Sequence, residues 1–247
     1  MAIHQTWMGV VDHFWSLSVE EQFYIIFPLV IFFIPRKWLV PTFVAMLAGS
    51  ILFRLYFFLS GYSWIVNYVS MPACLDSFGL GAFMAWLLLF RPDQYRKLFR
   101  NGYWVVLGLL LWAGVIYWSK TFSEPKNIAT DVWERLAGSV FCFFLIGKGV
   151  LGYGGFMKAF LENRAVLYLG KISYGLYAYH NPVYNHFHSP ANHPTLRLLR
   201  KIEQFVPAVA HNLLFESLFF FSLTVIVATL SWYLMEKPIN DLKDKLT

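Results

Sequence analysis

Long apolar runs separated by short, cation-bearing breaks set the pattern of this chain. The runs fall at about 18–34, 38–59, 72–90, 103–119, 132–151, 166–187 and 212–235. Each is near the roughly 20 residues that a helix needs to span about 30 Å of hydrocarbon. The pattern predicts an all-α fold, a polytopic transmembrane helix bundle of about seven crossings. Pro28 and Pro182 lie inside two of the runs. They are expected to kink those helices, with the freed backbone groups satisfied by neighbouring helices or side chains. No internal repeat or low-complexity linker divides the chain, so 1–247 reads as a single transmembrane domain.

Composition agrees with the pattern. The chain is 58% hydrophobic and only 14% charged, against roughly 25% charge in a soluble domain. No run has the short apolar core and small-residue cleavage site of a secretory signal. A net charge of +6 raises the question of nucleic acid, but the cations sit in short loops between apolar runs, which is an orientation signal and not a phosphate-binding face. No nucleic-acid partner is therefore expected.

One set of loops carries Arg36, Lys37, Arg91, Arg96, Lys97, Arg100, Lys148, Lys158, Arg164, Lys237, Lys243 and Lys245. The alternate set carries Lys120, Lys126, Arg197, Arg200 and Lys201. The cation-rich side is predicted to be cytoplasmic, which puts the carboxyl end inside a plasma or inner membrane and the amino end outside. Trp7, Trp15, Trp38, Trp64, Trp104, Trp118 and Trp232 lie near helix ends and read as an interfacial belt.

Polar residues within this apolar background carry the candidate chemistry. Asp12 to Phe33 places a histidine, two carboxylates and several rings at the mouth of the first run. On a helix Ser16, Glu20, Tyr24 and Phe27 share one face. Glu21 lies about 100° away from Glu20 and, with Ser18, forms a capping box that predicts a helix start at Val19. Glu20 has no such capping role, and it reads either as a carboxylate satisfied by neighbouring helices or interfacial water or as a functional group. Arg54, inside the second run, is expected either to snorkel to the outer interface or to hold an anionic group in the bundle. Asp76 reads as a solvated carboxylate near the outer end, with an Arg54–Asp76 pair sterically open. Gly79 and Gly81 beside it permit close helix contact. Asp131, Glu134 and Arg135 open the fifth run, and the acids there suit a helix start.

In the sixth run Ser173, Tyr177, His180 and Tyr184 form one polar-aromatic stripe. His180 lies about 14 Å beyond Lys171 at 1.5 Å per residue, hence deep in the membrane. Such a histidine reads as the lining of a site. His186, His188 and His193 follow, but their spacing matches no metal signature, and no metal is expected. Cys74 and Cys142 lie in apolar stretches without paired spacing and read as packing residues. Arg197 to His211 is expected on the outer membrane surface, and Pro238 is expected to end the last helix.

Three stretches, HFWSLSVEEQFYIIFP at His13 to Pro28, ISYGLYAYHNPV at Ile172 to Val183 and MEKPI at Met235 to Ile239, resemble the acyltransferase 3 family of bacterial membrane proteins. Their order matches the carboxyl-terminal two-thirds of the family domain. The resemblance implies a membrane O-acyltransferase in a ten-helix bundle. It would take an acyl group, expected to be acetyl, from acyl-CoA inside and deliver it to a hydroxyl of a cell-surface polysaccharide or glycolipid outside. Membrane lipid is the expected surroundings.

The resemblance also implies an upstream helix with an arginine and, eleven positions later, a catalytic histidine. Nothing upstream of Trp15 matches that pair, so the domain is expected to be amino-terminally incomplete, with a partner chain as one source of the missing helices. Arg200 and His211 reproduce the spacing by chance. Residues that carry over are Trp15, Ser16, Glu20, Phe23, Tyr24, Pro28, Ser173, Tyr174, Tyr177, His180, Glu236 and Pro238. Glu20 and His180 are the catalytic candidates; Trp15, Ser16, Tyr24, Arg54, Ser173 and Tyr177 are the substrate-binding ones. Two alternatives stand beside this reading. One is a non-catalytic remnant or partner subunit; the other is a small ion-coupled transporter using Glu20, Arg54, Asp76 and His180.

Overall fold

A computed structural model describes residues 9, 11–185, 189–207 and 212–243. His186, His188, His211, Trp7 and Lys245, which entered the sequence reading, lie outside the described residues. The described chain is helical throughout, with no strand. It falls into two compact units. One runs over Trp15–Gly154; the other is built from Gly155 onward together with the turn at Asp12–Phe14.

The first unit contains α1 (Trp15–Phe33), α2 (Leu39–Leu59), α3 (Trp64–Val69), α4 (Leu75–Phe90), α5 (Pro92–Phe99), α6 (Tyr103–Ser119) and α7 (Glu134–Leu151). Helix α4 packs on both α2 and α7, and α6 packs along α7. Gly79 permits the α2–α4 approach: a Cβ there would sit 2.7 Å from Leu47 Cδ1 and 3.1 Å from the Phe43 carbonyl. Gly81 faces open space, so the expectation of close contact holds at the first glycine and fails at the second. At the cation-rich end Leu87, Tyr95, Phe99 and Phe143 form a buried cluster. Tyr95 meets its polar need there by donating to the Gly147 carbonyl at 2.9 Å.

Helix α1 packs through Val19, Phe23 and Phe27; Phe23 stacks on Phe78 at 4.0 Å. It remains helical through Pro28 and begins at Trp15, four residues before the predicted start. The capping box is not used. Ser18 lies inside the helix and accepts from Gln22 at 3.4 Å, while a turn at Asp12–Phe14 leads the chain in.

The second unit contains α8 (Gly155–Leu161), α9 (Arg164–Lys171), α10 (Ser173–Val183), α11 (Pro194–Phe205), α12 (Leu213–Ser231), a π-helical turn at Trp232–Glu236, and α13 (Lys237–Lys243). Helix α10 lies along α12. A Cβ at Gly175 would meet the Ala228 Cα at 3.1 Å, so a side chain there would push α12 back by a few tenths of an ångström. Val183, Leu199 and Phe220 form the core, and Tyr184 stacks on Phe220 at 3.9 Å. Arg197 and Arg200 ride on α11, which buries Leu199 against the unit. Pro238 does not end the helix: α13 follows the π-helical turn at Trp232–Glu236 without a break, and Pro238 is its second residue.

Four helical stretches, Asp12–Phe33, Arg36–Leu59, Met71–Phe90 and Leu213–Leu242, are each long and apolar enough to cross a membrane. Counting each bent pair as one span, the number among the described residues reaches six at most: Pro92–Phe99 with Tyr103–Ser119, bent by 64°, and Ala129–Leu151 with Gly155–Leu161, bent by 88°. The all-α polytopic bundle is thus observed. The sixth expected crossing, 166–187, is instead divided at Ile172 into α9 and α10, of 8 and 11 residues. Ile172 leaves helical geometry at φ −97°, ψ 12°, next to Lys171, whose ammonium lies 5.0 Å from the Trp232 ring centroid.

Candidate functional site

Two groups of side chains, one in each unit, have the character of a site. The first begins with the buried turn before α4. There the Ala73 carbonyl accepts from Ser50 Oγ at 2.9 Å, Arg54 Nη1 at 2.7 Å and Arg135 Nη1 at 3.3 Å. Arg54 Nη2 is 2.7 Å from Asp76 Oδ2, with the two side chains 1% and 0% exposed. Arg54 therefore does not snorkel and Asp76 is not solvated. The sequence left their pairing open; the packing of α2 against α4 makes it, because each charge offers the other what the apolar interior withholds. Asn67 Nδ2 adds a bond to the Arg54 carbonyl at 2.9 Å. Arg54 Nε and Asn67 Oδ1 are buried and have no hydrogen-bond partner among the described residues.

Arg54 and Asn67 line a cavity of about 380 Å³, together with Trp15, Trp64, Tyr68, Trp112, Lys126, Thr130, Asp131, Glu134, Arg135 and Gly138. The Lys126 ammonium lies 4.3 Å from the Trp64 ring centroid. The Arg135 guanidinium lies 5.9 Å from the Trp15 ring and 5.6 Å from Tyr68. Trp15 and Trp64 are thus cavity walls as well as residues near helix ends, and a belt alone does not account for them. Asp131 and Glu134 do not cap the fifth helix. Asn127 does so, its Oδ1 accepting from the Ala129 and Thr130 amides at 3.0 and 3.2 Å. A single π-helical turn at Ala129–Trp133 follows, the kind of irregularity frequent at functional sites. Cys74 is buried beside Arg135, whereas Cys142 is exposed and not a packing residue.

At the other end of α2 a second cavity, about 400 Å³, is lined by Arg36, Lys37, Val40, Trp86, Phe90 and Arg91. Val40 and Arg54 are about 21 Å apart along α2 at 1.5 Å per residue. Glu20, on α1 of this unit, is half-buried and has no hydrogen-bond or ion-pair partner among the described residues. Ser16 is half-buried and Tyr24 is 58% exposed.

The other group lies in the second unit and starts from Pro182. Proline has no N–H, so the carbonyl four residues earlier, that of Ala178, loses its helical donor. His13 takes the place: its Nε2 is 3.3 Å from the Ala178 oxygen, and Asn181 Nδ2 is 3.0 Å from His13 Nδ1. With Nε2–H donating and Nδ1 accepting, His13 is a neutral imidazole of one tautomer. Tyr177 donates its hydroxyl to the His13 carbonyl. His180 stands edge-on to His13 at 4.8 Å between ring centroids. Its Nδ1–H donates to the Tyr177 carbonyl at 2.6 Å. That bond fixes the tautomer and leaves the Nε2 lone pair able to take a proton.

His180 is exposed, and it lines a mainly apolar cavity of about 290 Å³ with Leu176, Tyr184, Phe220, Phe221 and Thr224. Ser173, the first residue of α10, is exposed. Below the site Tyr179 donates to Ser231 at 3.3 Å, and Ser231 donates to Glu236 at 3.0 Å. His193 shares a 2.7 Å hydrogen bond with Thr195.

The expected residues thus divide between the units. Trp15 and Arg54 share the first cavity, Tyr177 and His180 share the histidine cluster, and Glu20 belongs to the first unit. Sequence reasoning passed over His13 and Asn181 as site residues, although Pro182 signalled an orphan carbonyl. It also passed over Asn67, Tyr68 and the loop residue Lys126, which only the fold brings to one cavity.

A family profile for an acyltransferase domain, that of acyltransferase 3, matches residues 3–236. The chain is similar to the O-acetyltransferase OatA of Staphylococcus aureus strains NCTC 8325 / PS 47, COL and MRSA252. In each case it is 30% identical over 182 residues, covering 70% of this chain and 29% of the relative. The chain therefore spans under a third of the length of these curated relatives. No solved structure matches it.

Proposed function

Because the chain belongs to the acyltransferase 3 family, we propose that it moves an acetyl group from acetyl-CoA to a hydroxyl of a polysaccharide or glycolipid, within a plasma or inner membrane and with its carboxyl end cytoplasmic. The observation that carries the reading is the geometry at His180. Its Nδ1–H is held by the Tyr177 carbonyl, so Nε2 is the basic nitrogen, and a small apolar cavity adjoins it. In the reaction the hydroxyl oxygen bonds to the acyl carbon while His180 Nε2 takes its proton. The acyl–sulfur bond then breaks, and the thiolate of CoA recovers that proton to leave as the thiol. Tyr177 and His13 hold the imidazole cluster in place. The cavity with Arg36, Lys37 and Arg91 beside Trp86 and Phe90 lies on the cation-rich side and suits the phosphates and adenine ring of a CoA thioester.

The OatA relatives, named as O-acetyltransferases, support acetyl as the group moved. The transporter alternative loses ground because Arg54 and Asp76 are bound to each other. The test is transfer of radiolabel from acetyl-CoA to isolated cell-surface polysaccharide by the full chain in lipid vesicles. His180→Gln should lower the rate by about 100-fold, the usual contribution of a general base. An unchanged rate would remove His180 from the chemistry, and no transfer by the wild-type chain would overturn the proposed activity.

A further inference from the structure

The aromatic cavity of the first unit has no part in the chemistry just described. We infer that it is a subsite for one neutral pyranose ring of the acceptor chain, built from Trp15, Trp64, Tyr68 and Trp112 as stacking faces and from Thr130, Asp131, Glu134 and Arg135 as hydroxyl-binding walls. This inference rests on the acyl-transfer reading only for the identity of the acceptor; the cavity makes its own case.

Four aromatic rings line a volume of about 380 Å³, roomy enough for a sugar ring. A pyranose presents C–H bonds on its faces and hydroxyls around its edge. The faces are apolar and carry slight positive charge, so they pack on the electron-rich faces of Trp and Tyr. A sugar hydroxyl both donates and accepts, so it can give to the Asp131 and Glu134 carboxylates and take from the Arg135 guanidinium and the Lys126 ammonium, all of which line the cavity.

The charges around the walls balance. Lys126 and Arg135 stand against Asp131 and Glu134, and Arg54 is neutralised by Asp76. An anionic ligand would gain little here, whereas the same residues offer a neutral, hydroxyl-rich ring both donors and acceptors. The position also fits. Trp64, Asn67 and Tyr68 on one connection and Lys126 and Thr130 on another belong to the cation-poor side, the outer one under the positive-inside rule. A surface glycan would arrive from that side.

Equilibrium dialysis of tritiated chitotetraose against the full chain in lipid nanodiscs tests the inference. Saturable binding is expected. Trp64→Ala should weaken it about tenfold through loss of one stacking face, and Trp64→Phe should restore most of the affinity. Trp64 lies on a short helix at the rim, and a melting temperature unchanged in the variant shows that the bundle is intact. Absence of binding, equal binding by Trp64→Ala, or displacement of the sugar by free CoA would each overturn the subsite.

Label transfer separates this inference from the proposed reaction. Binding without any transfer leaves the subsite standing and removes the enzyme reading. Transfer with the same KM in Trp64→Ala as in the wild type does the reverse.

Discussion

Arg54 and Glu20 show how differently two charges in an apolar chain are handled. Arg54 is enclosed, with Asp76 and the Ala73 carbonyl meeting both terminal nitrogens at 2.7 Å. Removing one partner of such a pair strands the other charge, at a cost of about 3–5 kcal/mol. Arg54→Met and Asp76→Asn should therefore each lower the melting temperature in detergent markedly. The double variant Arg54→Met/Asp76→Leu should recover much of the loss. A double variant no more stable than the worse single one would show that the pair is not the cause. Glu20 has no partner within the described residues, so its replacement should leave stability alone. Glu20→Gln is expected to slow label transfer by at least roughly tenfold if its charge assists the reaction, with membrane insertion and melting unaltered. An unchanged rate takes Glu20 out of the site.

The helices owe their placement to a few special residues. Gly175 lets α10 close on α12, which brings the His180 stripe against a packed wall. Pro182 does more, since it removes the donor for Ala178 and leaves that carbonyl to His13. Pro182→Ala would restore the N–H and let the helix satisfy the carbonyl internally. The amide of residue 182 should then exchange slowly with deuterium, and label transfer should fall as His13 loses its anchor. Transfer at the wild-type rate despite a protected amide would make the His13 contact incidental. The apolar run at 166–187 held both signals, but its composition could not show that the helix breaks at Ile172. Hydrophobicity is a sum over residues, whereas a break depends on the backbone angles of one.

For the molecule in its membrane, the testable quantity is orientation. Under the cation rule the connection holding Lys126 lies outside and that holding Arg36 and Lys37 lies inside. In a background with Cys74 and Cys142 replaced by alanine, Lys126→Cys should react with an impermeant maleimide added to intact cells. Arg36→Cys should react only after lysis. Reversed labelling would invert the topology and move the aromatic cavity to the cytoplasmic side, against a role for it in receiving a surface glycan.

What the sequence determined by itself was the solvent and the class: apolar runs of spanning length dictate helices, because lipid offers the backbone no other partners. The motifs around Trp15–Glu20 and Ser173–His180 were equally legible, since helical spacing alone places residues on a face. The tertiary structure alone decided which polar groups meet. Arg54 with Asp76, His13 with Asn181, and Trp15 with Tyr68, Lys126 and Arg135 around one cavity are encounters between residues distant in the chain. Local periodicity carries no information about such encounters. They follow from how closely α2, α4 and α7, or α10 and α12, approach. Burial then converts each juxtaposition from an option into a requirement, because a polar group withdrawn from water must find its partner in the protein or in a ligand.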